Sequence, residues 1–243
     1  MEREITHQAY ANKSHSCDTP EGRRELPPEY HDVIAQADFT SGMSDFVFYR
    51  FRYITTEREP QYPKGKYDYT LREADLTEVG RQIHAMMTDS VIIDGACGNP
   101  ELEGFHEPAF GIRTLARAFD ARRYIGIDKF NVTPHVGYST GTYTETFYKE
   151  DLLSFLARYT PTGEKTCITI CGLEPSNFTG TEIEVSYAEY VKKEIDRILS
   201  SHPDSSFFMT RGTYSQLRMD DNTLLERIID TPEFISYSLK KSV

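Results

Sequence analysis

Apolar residues between positions 90 and 130 recur first with strand-like and then with helix-like spacing. The β-branched run at residues 91–93 is typical of a buried strand. Apolar side chains then recur at helical intervals at Ile112, Leu115, Ala116 and Phe119. A second apolar run at residues 124–127 predicts the next strand. A strand, helix and strand in this order are half of a doubly wound nucleotide-binding fold.

The same two periods predict further elements on both sides of this unit. Expected strands cover residues 45–54, 142–148, 165–172, 206–210 and 234–239. Expected helices cover residues 30–37, 76–87, 152–156 and 187–199, and a last one is marked by Leu224, Leu225, Ile228 and Ile229. Strands that alternate with helices give a mostly parallel sheet. We therefore expect a doubly wound α/β domain with helices on both faces at residues 71–243, preceded by an N-terminal extension of residues 1–70 that caps it.

Three acids stand where the expected parallel strands end. Asp94 opens a turn of small residues, 95–98, through which the backbone can pass close to a ligand. Asp128 follows the second strand, and Asp151 follows the third. Asp151 has a structural alternative, since a carboxylate in the first turn of a helix is favoured by the helix dipole. Ligands of open α/β sheets bind at the carboxyl ends of the strands, so the three acids predict a binding site there.

Charge and hydropathy narrow the class of protein. The 243-residue chain has 38 acids against 27 bases and a formal net charge of −11, which makes nucleic acid an unlikely partner. Its apolar runs are too short for a membrane span, and its charged first residues lack the apolar core of a signal peptide. We therefore expect a soluble cytoplasmic protein with no membrane partner.

The cysteines predict neither disulfides nor a metal site. Four cysteines are too few and too scattered for a disulfide framework. Cys167 and Cys171 share one face of an expected strand, but no second pair or nearby histidine completes a zinc site. We interpret both as small buried core residues.

With these residues laid out, the chain from about residue 90 to 213 resembles the class I S-adenosylmethionine-dependent methyltransferases. The turn Asp-Gly-Ala-Cys-Gly at residues 94–98 matches a variant of that family's motif after its first strand. The resemblance implies that this turn approaches the methionine part of S-adenosylmethionine, that Asp128 binds the ribose hydroxyls, and that Asp151 meets the adenine. The implied cofactor contacts are Asp94, Gly95, Ala96, Gly98, Asp128, Asp151 and the backbone of Leu152.

The residues expected on the acceptor side differ from the family's common patterns. Residues 171–175 read Cys-Gly-Leu-Glu-Pro, not the Asn-Pro-Pro-Tyr of many amino-group methyltransferases, and Pro100 stands where a third glycine is usual. A single strand is expected after the last helix, where the family usually has an antiparallel pair. Glu174 is the specific candidate for a catalytic contact with the acceptor. His106 and His135 are further candidates, with an ordinary loop role as the alternative for each.

Three functions follow from these patterns. The first is a methyltransferase whose acceptor is unidentified; the Tyr and Arg content of residues 49–72 favours a small or aromatic one. The second is a methyltransferase-like protein without activity that binds or supports a partner. The third is an NAD-dependent oxidoreductase, which would need a Gly-x-Gly-x-x-Gly turn where residues 94–100 have none. A hydrolase is disfavoured because neither a Gly-x-Ser-x-Gly elbow nor a phosphate loop is present.

Overall fold

The structure is a computed structural model of the whole chain. It describes residues 24–37, 54–56, 73–98, 111–129, 135–140, 143–171, 180–211, 213, 217, 219, 224–232 and 234–240. The predicted strand at residues 45–54 lies outside this part of the chain except for Ile54, and so does most of the predicted N-terminal extension.

The described residues form one eight-stranded mixed sheet with the order β3-β4-β2-β1-β5-β6-β8-β7. Its strands are β1 (Val91–Gly95), β2 (Arg123–Asp128), β3 (His135–Thr140), β4 (Tyr143–Lys149), β5 (Thr166–Ile170), β6 (Ser206–Thr210), β7 (Leu225–Asp230) and β8 (Phe234–Leu239). The run from β4 to β6 is parallel. At one edge β3 is antiparallel to β4, and at the other β8 is antiparallel to both of its neighbours, β6 and β7. The predicted α/β class with a mostly parallel sheet is confirmed.

The chain reverses direction across the sheet at β1. Gly95, the last residue of β1, pairs with Ile127 of β2 on one side and with Ile170 of β5 on the other. The chain passes from β1 to β2 in one direction, and β5 then returns to the opposite side of β1. Such a reversal leaves a crevice at the carboxyl ends of the strands.

Helices cover both faces of the sheet. They are α1 (Pro28–Gln36), α2 (Glu78–Met87), α3 (Ile112–Ala118), α4 (Leu152–Arg158) and α5 (Glu182–Leu199). Buried residues of α1, α4 and α5 pack with Ile93 and Ile125 in one core cluster. Buried residues of α2 and α3 pack with Ile92 and Tyr124 in the other. Adjacent strand residues point to opposite faces, so each buried strand contributes to both cores.

Parts of the N-terminal extension pack against each face. Helix α1, which the sequence predicted at residues 30–37, buries Tyr30, whose hydroxyl donates to Glu194 of α5 at 2.9 Å. On the other face, Thr55 pairs with Leu76, close to the start of α2. A Cβ on Gly80 would lie 2.0 Å from the carbonyl oxygen of Ile54, so α2 needs a glycine for this approach.

The helix predicted from Leu224 to Ile229 is wrong, because Leu225, Ile228 and Ile229 belong to β7, which pairs with β8, and Leu224 lies just before that strand. Residues four apart share a face both in a helix and in a strand, so the spacing of Leu225 and Ile229 fits either. Both are buried, whereas Leu224 and Ile228 are exposed. Strand β3 was also not predicted; the sequence there shows neither period clearly.

The buried positions of Cys167 and Cys171 agree with the core role predicted for them. Burial raises the pKa of the Cys167 thiol to about 11, which makes it an inert core residue. Among the described residues, no group of three or more His, Cys, Asp or Glu could hold a metal ion. Within the same part of the chain, no helix is both long and apolar enough to cross a membrane.

Candidate functional site

The three predicted acids lie at the carboxyl ends of three adjacent parallel strands. Asp94 is the last residue but one of β1, Asp128 ends β2, and Asp151 follows β4 by two residues. Neighbouring strands are about 4.8 Å apart, so the order β4-β2-β1 brings the acids to one edge of the sheet. All three are buried. They define what we call the acidic edge, formed by Asp94, Asp128 and Asp151.

Asp94 ties β1 to both of its neighbours. One carboxylate oxygen accepts a hydrogen bond from the Tyr124 hydroxyl of β2 at 2.6 Å, and the other accepts one from the Thr169 hydroxyl of β5 at 2.8 Å. These bonds compensate the loss of water at a buried carboxylate. The Asp94 side chain thus links the carboxyl-terminal half of β1 to the strands on both sides of it, β2 and β5.

The turn after β1 has a left-handed backbone and is fixed to β2. Ala96 has a φ of 60° and Gly98 a φ of 74°. The amide of Cys97 donates to the Ile127 carbonyl at 3.1 Å, and that of Gly98 donates to the Asp128 carboxylate at 3.1 Å. Ala96 adopts a conformation that glycine accepts without strain. Asp128 therefore holds the turn closed as well as standing at the end of its own strand.

Gly95 and Leu152, both predicted as cofactor contacts, pack against each other. A Cβ on Gly95 would lie 2.7 Å from Cδ1 of Leu152. No side chain can be built at Gly95 unless Leu152 moves. The glycine at this position thus has a packing reason: it lets the start of α4 lie directly against the end of β1.

Asp151 begins helix α4 as its N-cap. Its carboxylate accepts from the Ser154 amide at 3.2 Å and from the Tyr187 hydroxyl at 3.1 Å, and that hydroxyl in turn accepts from the Leu153 amide at 3.3 Å. Burial raises the pKa of the Asp151 carboxyl, although the Ser154 amide, the charge of Lys129 and Tyr187 pull it down. Burial and the nearby Asp151 raise the pKa of the Tyr187 hydroxyl well above its usual value. Asp151 therefore has both a capping role and an incompletely compensated charge.

Lys129 is a site residue that the sequence analysis missed. It follows Asp128 directly, and its ammonium donates to the Ala37 carbonyl at the end of α1, at 3.2 Å. Its charge also acts on Asp151. A basic residue beside a strand-end acid was visible in the sequence, but its partners lie in elements far away along the chain. Tyr187 was likewise predicted only as part of an apolar helix stripe.

A second buried acid, Glu145 of β4, lies in a cluster with two arginines of α3. The Glu145 carboxylate accepts from Arg113 at 2.7 Å and from Arg117 at 2.5 Å, and the Tyr143 hydroxyl donates to it at 3.0 Å. Burial opposes ionisation, but the hydrogen bonds from Arg117 and Arg113 outweigh it and lower the pKa of Glu145. This cluster, which the sequence analysis did not identify, holds α3 on the sheet.

The three acceptor-side candidates lie wholly or in part outside the described residues. Glu174 and His106 lie outside the described residues. His135 begins β3, but its side chain also lies outside what the structure describes.

Comparison with protein-family models, with curated proteins and with solved structures found no match to this chain.

Proposed function

We propose that the protein is an S-adenosylmethionine-dependent methyltransferase, with an acceptor that is small or aromatic. The observation that carries this proposal is the pair Asp128 and Asp151, buried at the carboxyl ends of adjacent strands β2 and β4. They stand beside the place where the chain reverses between β1 and β5. Open α/β sheets bind their ligands at this place.

The edge of the sheet adds support from topology. The antiparallel strands β8 and β7 follow the last parallel strand, β6. An antiparallel pair is what the resemblance to class I methyltransferases implies for this part of the chain, and the sequence pattern alone did not predict it. This supports a methyltransferase type within the α/β class.

The hydrogen-bonding character of the acidic edge fits a nucleoside. Ribose hydroxyls and the adenine amino group are donors, and an ionised carboxylate accepts up to about four hydrogen bonds. Asp128 accepts from the Gly98 amide, and Asp151 accepts from Ser154 and Tyr187. We infer that Asp128 would hold the ribose and Asp151 the adenine. When bound, S-adenosylmethionine would supply an electrophilic methyl group on a sulfonium.

The charge of the acidic edge favours a sulfonium over a dinucleotide. A pyrophosphate binds to free amide groups of a glycine turn and to a helix N-terminus. Here the Cys97 and Gly98 amides donate inside the protein, to Ile127 and Asp128. Three buried acids would attract a cationic sulfonium and repel a pyrophosphate. The charge of the acidic edge therefore favours the methyl donor over NAD.

A second candidate is a methyltransferase-like binding protein without turnover. Both carboxylate oxygens of Asp94 accept hydrogen bonds from hydroxyl groups of the protein, and the Tyr187 hydroxyl donates a hydrogen bond to Asp151. A site whose acids are partly satisfied internally suits a supporting subunit as well as an enzyme. Turnover of the methyl donor with an acceptor distinguishes the two.

The test is a calorimetric titration of the full chain with S-adenosylmethionine and, separately, with NAD. Asp128→Asn keeps an oxygen for the Gly98 amide but removes the charge, so we expect it to weaken binding of the methyl donor by about 10-fold or more. Asp204→Asn is the control, because Asp204 is exposed in the turn before β6, at the opposite edge of the sheet. Binding of NAD instead, or of neither ligand by the folded protein, would overturn the proposal. Binding with no consumption against a panel of small acceptors would favour the second candidate.

A further inference from the structure

Lys129 joins the N-terminal helix to the acidic edge. It lies one residue beyond β2, and its ammonium bonds to the carbonyl of Ala37, 92 residues earlier in the chain. Ala37 is the C-cap of α1 and is itself buried. A single side chain therefore spans from the sheet to the end of a helix in the N-terminal extension.

A cation is favourable at the end of α1. The last carbonyl groups of a helix have no partner inside the helix, and a positive charge near them is favoured by the helix dipole. The last turn of α1 contains no basic residue. Lys129, one residue beyond β2, places at the end of α1 the positive charge that the last turn of α1 lacks.

Helix α1 is a fixed anchor for this contact. Tyr30 is fully buried and donates to Glu194, which Arg197 also binds at 2.5 Å. The Tyr30 ring lies 4.4 Å from that of Tyr190. The amide of Arg24, just before α1, donates to the carbonyl of Arg158 at the end of α4, at 2.9 Å. These contacts hold α1 against α4 and α5, so a shift of Lys129 and a shift of α1 are coupled.

The same ammonium acts on the acidic edge. Its charge is one of the influences that oppose the effect of burial on Asp151, and Lys129 is covalently next to Asp128. Those two acids are the ones assigned above to the nucleoside. Loss of the Lys129 ammonium would remove a positive charge that acts on Asp151, at the position directly next to Asp128.

We propose that Lys129 is a positioning residue that couples the docking of α1 to binding at the nucleoside end of the site. This inference rests on the proposed function. Coupling of this kind is reciprocal: a bound ligand holds α1 in place, and a docked α1 raises affinity for the ligand.

The experiment compares wild type with Lys129→Met, Lys129→Arg and Lys149→Met in the full chain. Lys149 is exposed at the end of β4, opposite Asp128 in the register, so Lys149→Met removes the same charge near the same edge. Two quantities are measured: the affinity for S-adenosylmethionine, and amide hydrogen exchange of residues 28–37 with and without it. For Lys129→Met we expect about 10-fold weaker binding, faster exchange at the end of α1, and no further slowing of that exchange when the ligand is added. In wild type, Lys129→Arg and Lys149→Met, added S-adenosylmethionine should slow amide hydrogen exchange at the end of α1.

Two results would overturn the coupling while leaving the proposed function intact. One is equal loss of affinity in Lys129→Met and Lys149→Met, which would reduce the effect to general charge. The other is unchanged exchange of α1 in Lys129→Met. If wild type itself binds no S-adenosylmethionine, the proposed function fails and the coupling fails with it, and that result is read from the wild type alone.

Discussion

Glu145 and Asp151 are buried acids six residues apart, yet their surroundings shift their pKa values in opposite directions. Glu145 is 0% exposed and is bonded by Arg113, Arg117 and a tyrosine hydroxyl. Burial opposes ionisation of Glu145, but the two guanidinium groups have the larger combined effect, so the pKa of Glu145 is lowered. A carboxylate whose charge is already balanced by two arginines of its own protein attracts a cationic ligand only weakly. Glu145 therefore belongs to the scaffold.

Asp151 is 9% exposed and has weaker compensation. Its donors are an amide and a hydroxyl, and Lys129 contributes only its charge, so burial prevails and raises the pKa of Asp151. A buried acid without a full counter-charge still favours a donor or a cation brought by a ligand. The difference between the two acids teaches that burial alone does not distinguish a scaffold carboxylate from a candidate for ligand binding, and that the partners of each carboxylate must be compared as well.

Glu145→Gln should cause the largest loss of stability, because Glu145 is the buried acid of the scaffold. It leaves two guanidinium groups in a mostly buried place without their anion, and removing one partner of a buried pair costs about 3–5 kcal/mol of unfolding free energy. Chemical denaturation measures this loss. The matched control is Glu164→Gln, because Glu164 pairs with Arg122 at the surface, where such a pair contributes about 0–1 kcal/mol. Equal losses in both variants would contradict the scaffold role.

The pH dependence of stability follows from the lowered pKa of Glu145. Its contribution is fully present above the ordinary carboxyl value, about 4.5, and is lost as the pH falls through the lower folded-state pKa. The stability difference between wild type and Glu145→Gln should therefore shrink below about pH 4.5. A constant difference down to low pH would show that shape, and not charge, explains the loss.

Tyr187→Phe should have the next largest effect, at the acidic edge. The hydroxyl donates to Asp151 and accepts from the Leu153 amide, so its removal leaves two buried groups with one partner fewer. We expect a loss of about 1–3 kcal/mol in unfolding free energy. Tyr190→Phe on the same helix is the control, since Tyr190 is only partly buried. A loss in Tyr187→Phe no larger than that in Tyr190→Phe would show that Asp151 does not depend on this hydroxyl.

Asp151→Asn should separate binding from stability. Asparagine is also a good N-cap, and it removes a charge that burial disfavours. Because the folded-state pKa of Asp151 is raised above 3.8, its contribution to stability is present at lower pH and lost as the pH rises through that pKa. At pH 7 the variant should therefore be at least as stable as wild type, while its affinity for S-adenosylmethionine falls about 10-fold. A large loss of stability with unchanged affinity would place Asp151 in the scaffold with Glu145.

Much of the acidic edge was predictable because it depends on local patterns. The strands at residues 91–93, 124–127 and 206–210 lie where the periods placed them, and parallel strands bring their carboxyl ends together whatever the details of packing. This is why Asp94, Asp128 and Asp151 lie at the same edge of the sheet. Their positions follow from strand ends, not from side-chain contacts.

The partners of these acids were not predictable, because they come from distant parts of the chain. Glu145 meets Arg117 of α3, and Lys129 meets Ala37, only after the layers have packed. Likewise, Gly95 suggested a ligand contact, whereas the Leu152 side chain supplies a packing reason for it. Strand β7 was missed because a spacing of four fits both a strand and a helix. The sequence thus indicated where acids stand but not how far they are compensated.

Ala96→Gly should give the smallest effect and is the finest probe of the acidic edge. A residue other than glycine with a left-handed backbone costs about 1–2 kcal/mol, and glycine returns about 0.5–1 kcal/mol of this through the greater freedom of the unfolded chain. The net gain in unfolding free energy should therefore be at most about 1 kcal/mol. Asp120 also has a left-handed φ, of 51°, and lies in the turn before β2 at the opposite edge of the sheet, so Asp120→Gly is the matched control. If the turn serves the ligand, both variants should gain stability but only Ala96→Gly should change affinity for S-adenosylmethionine. A change in neither variant's affinity would make the turn part of the scaffold, on the same side of the comparison as Glu145.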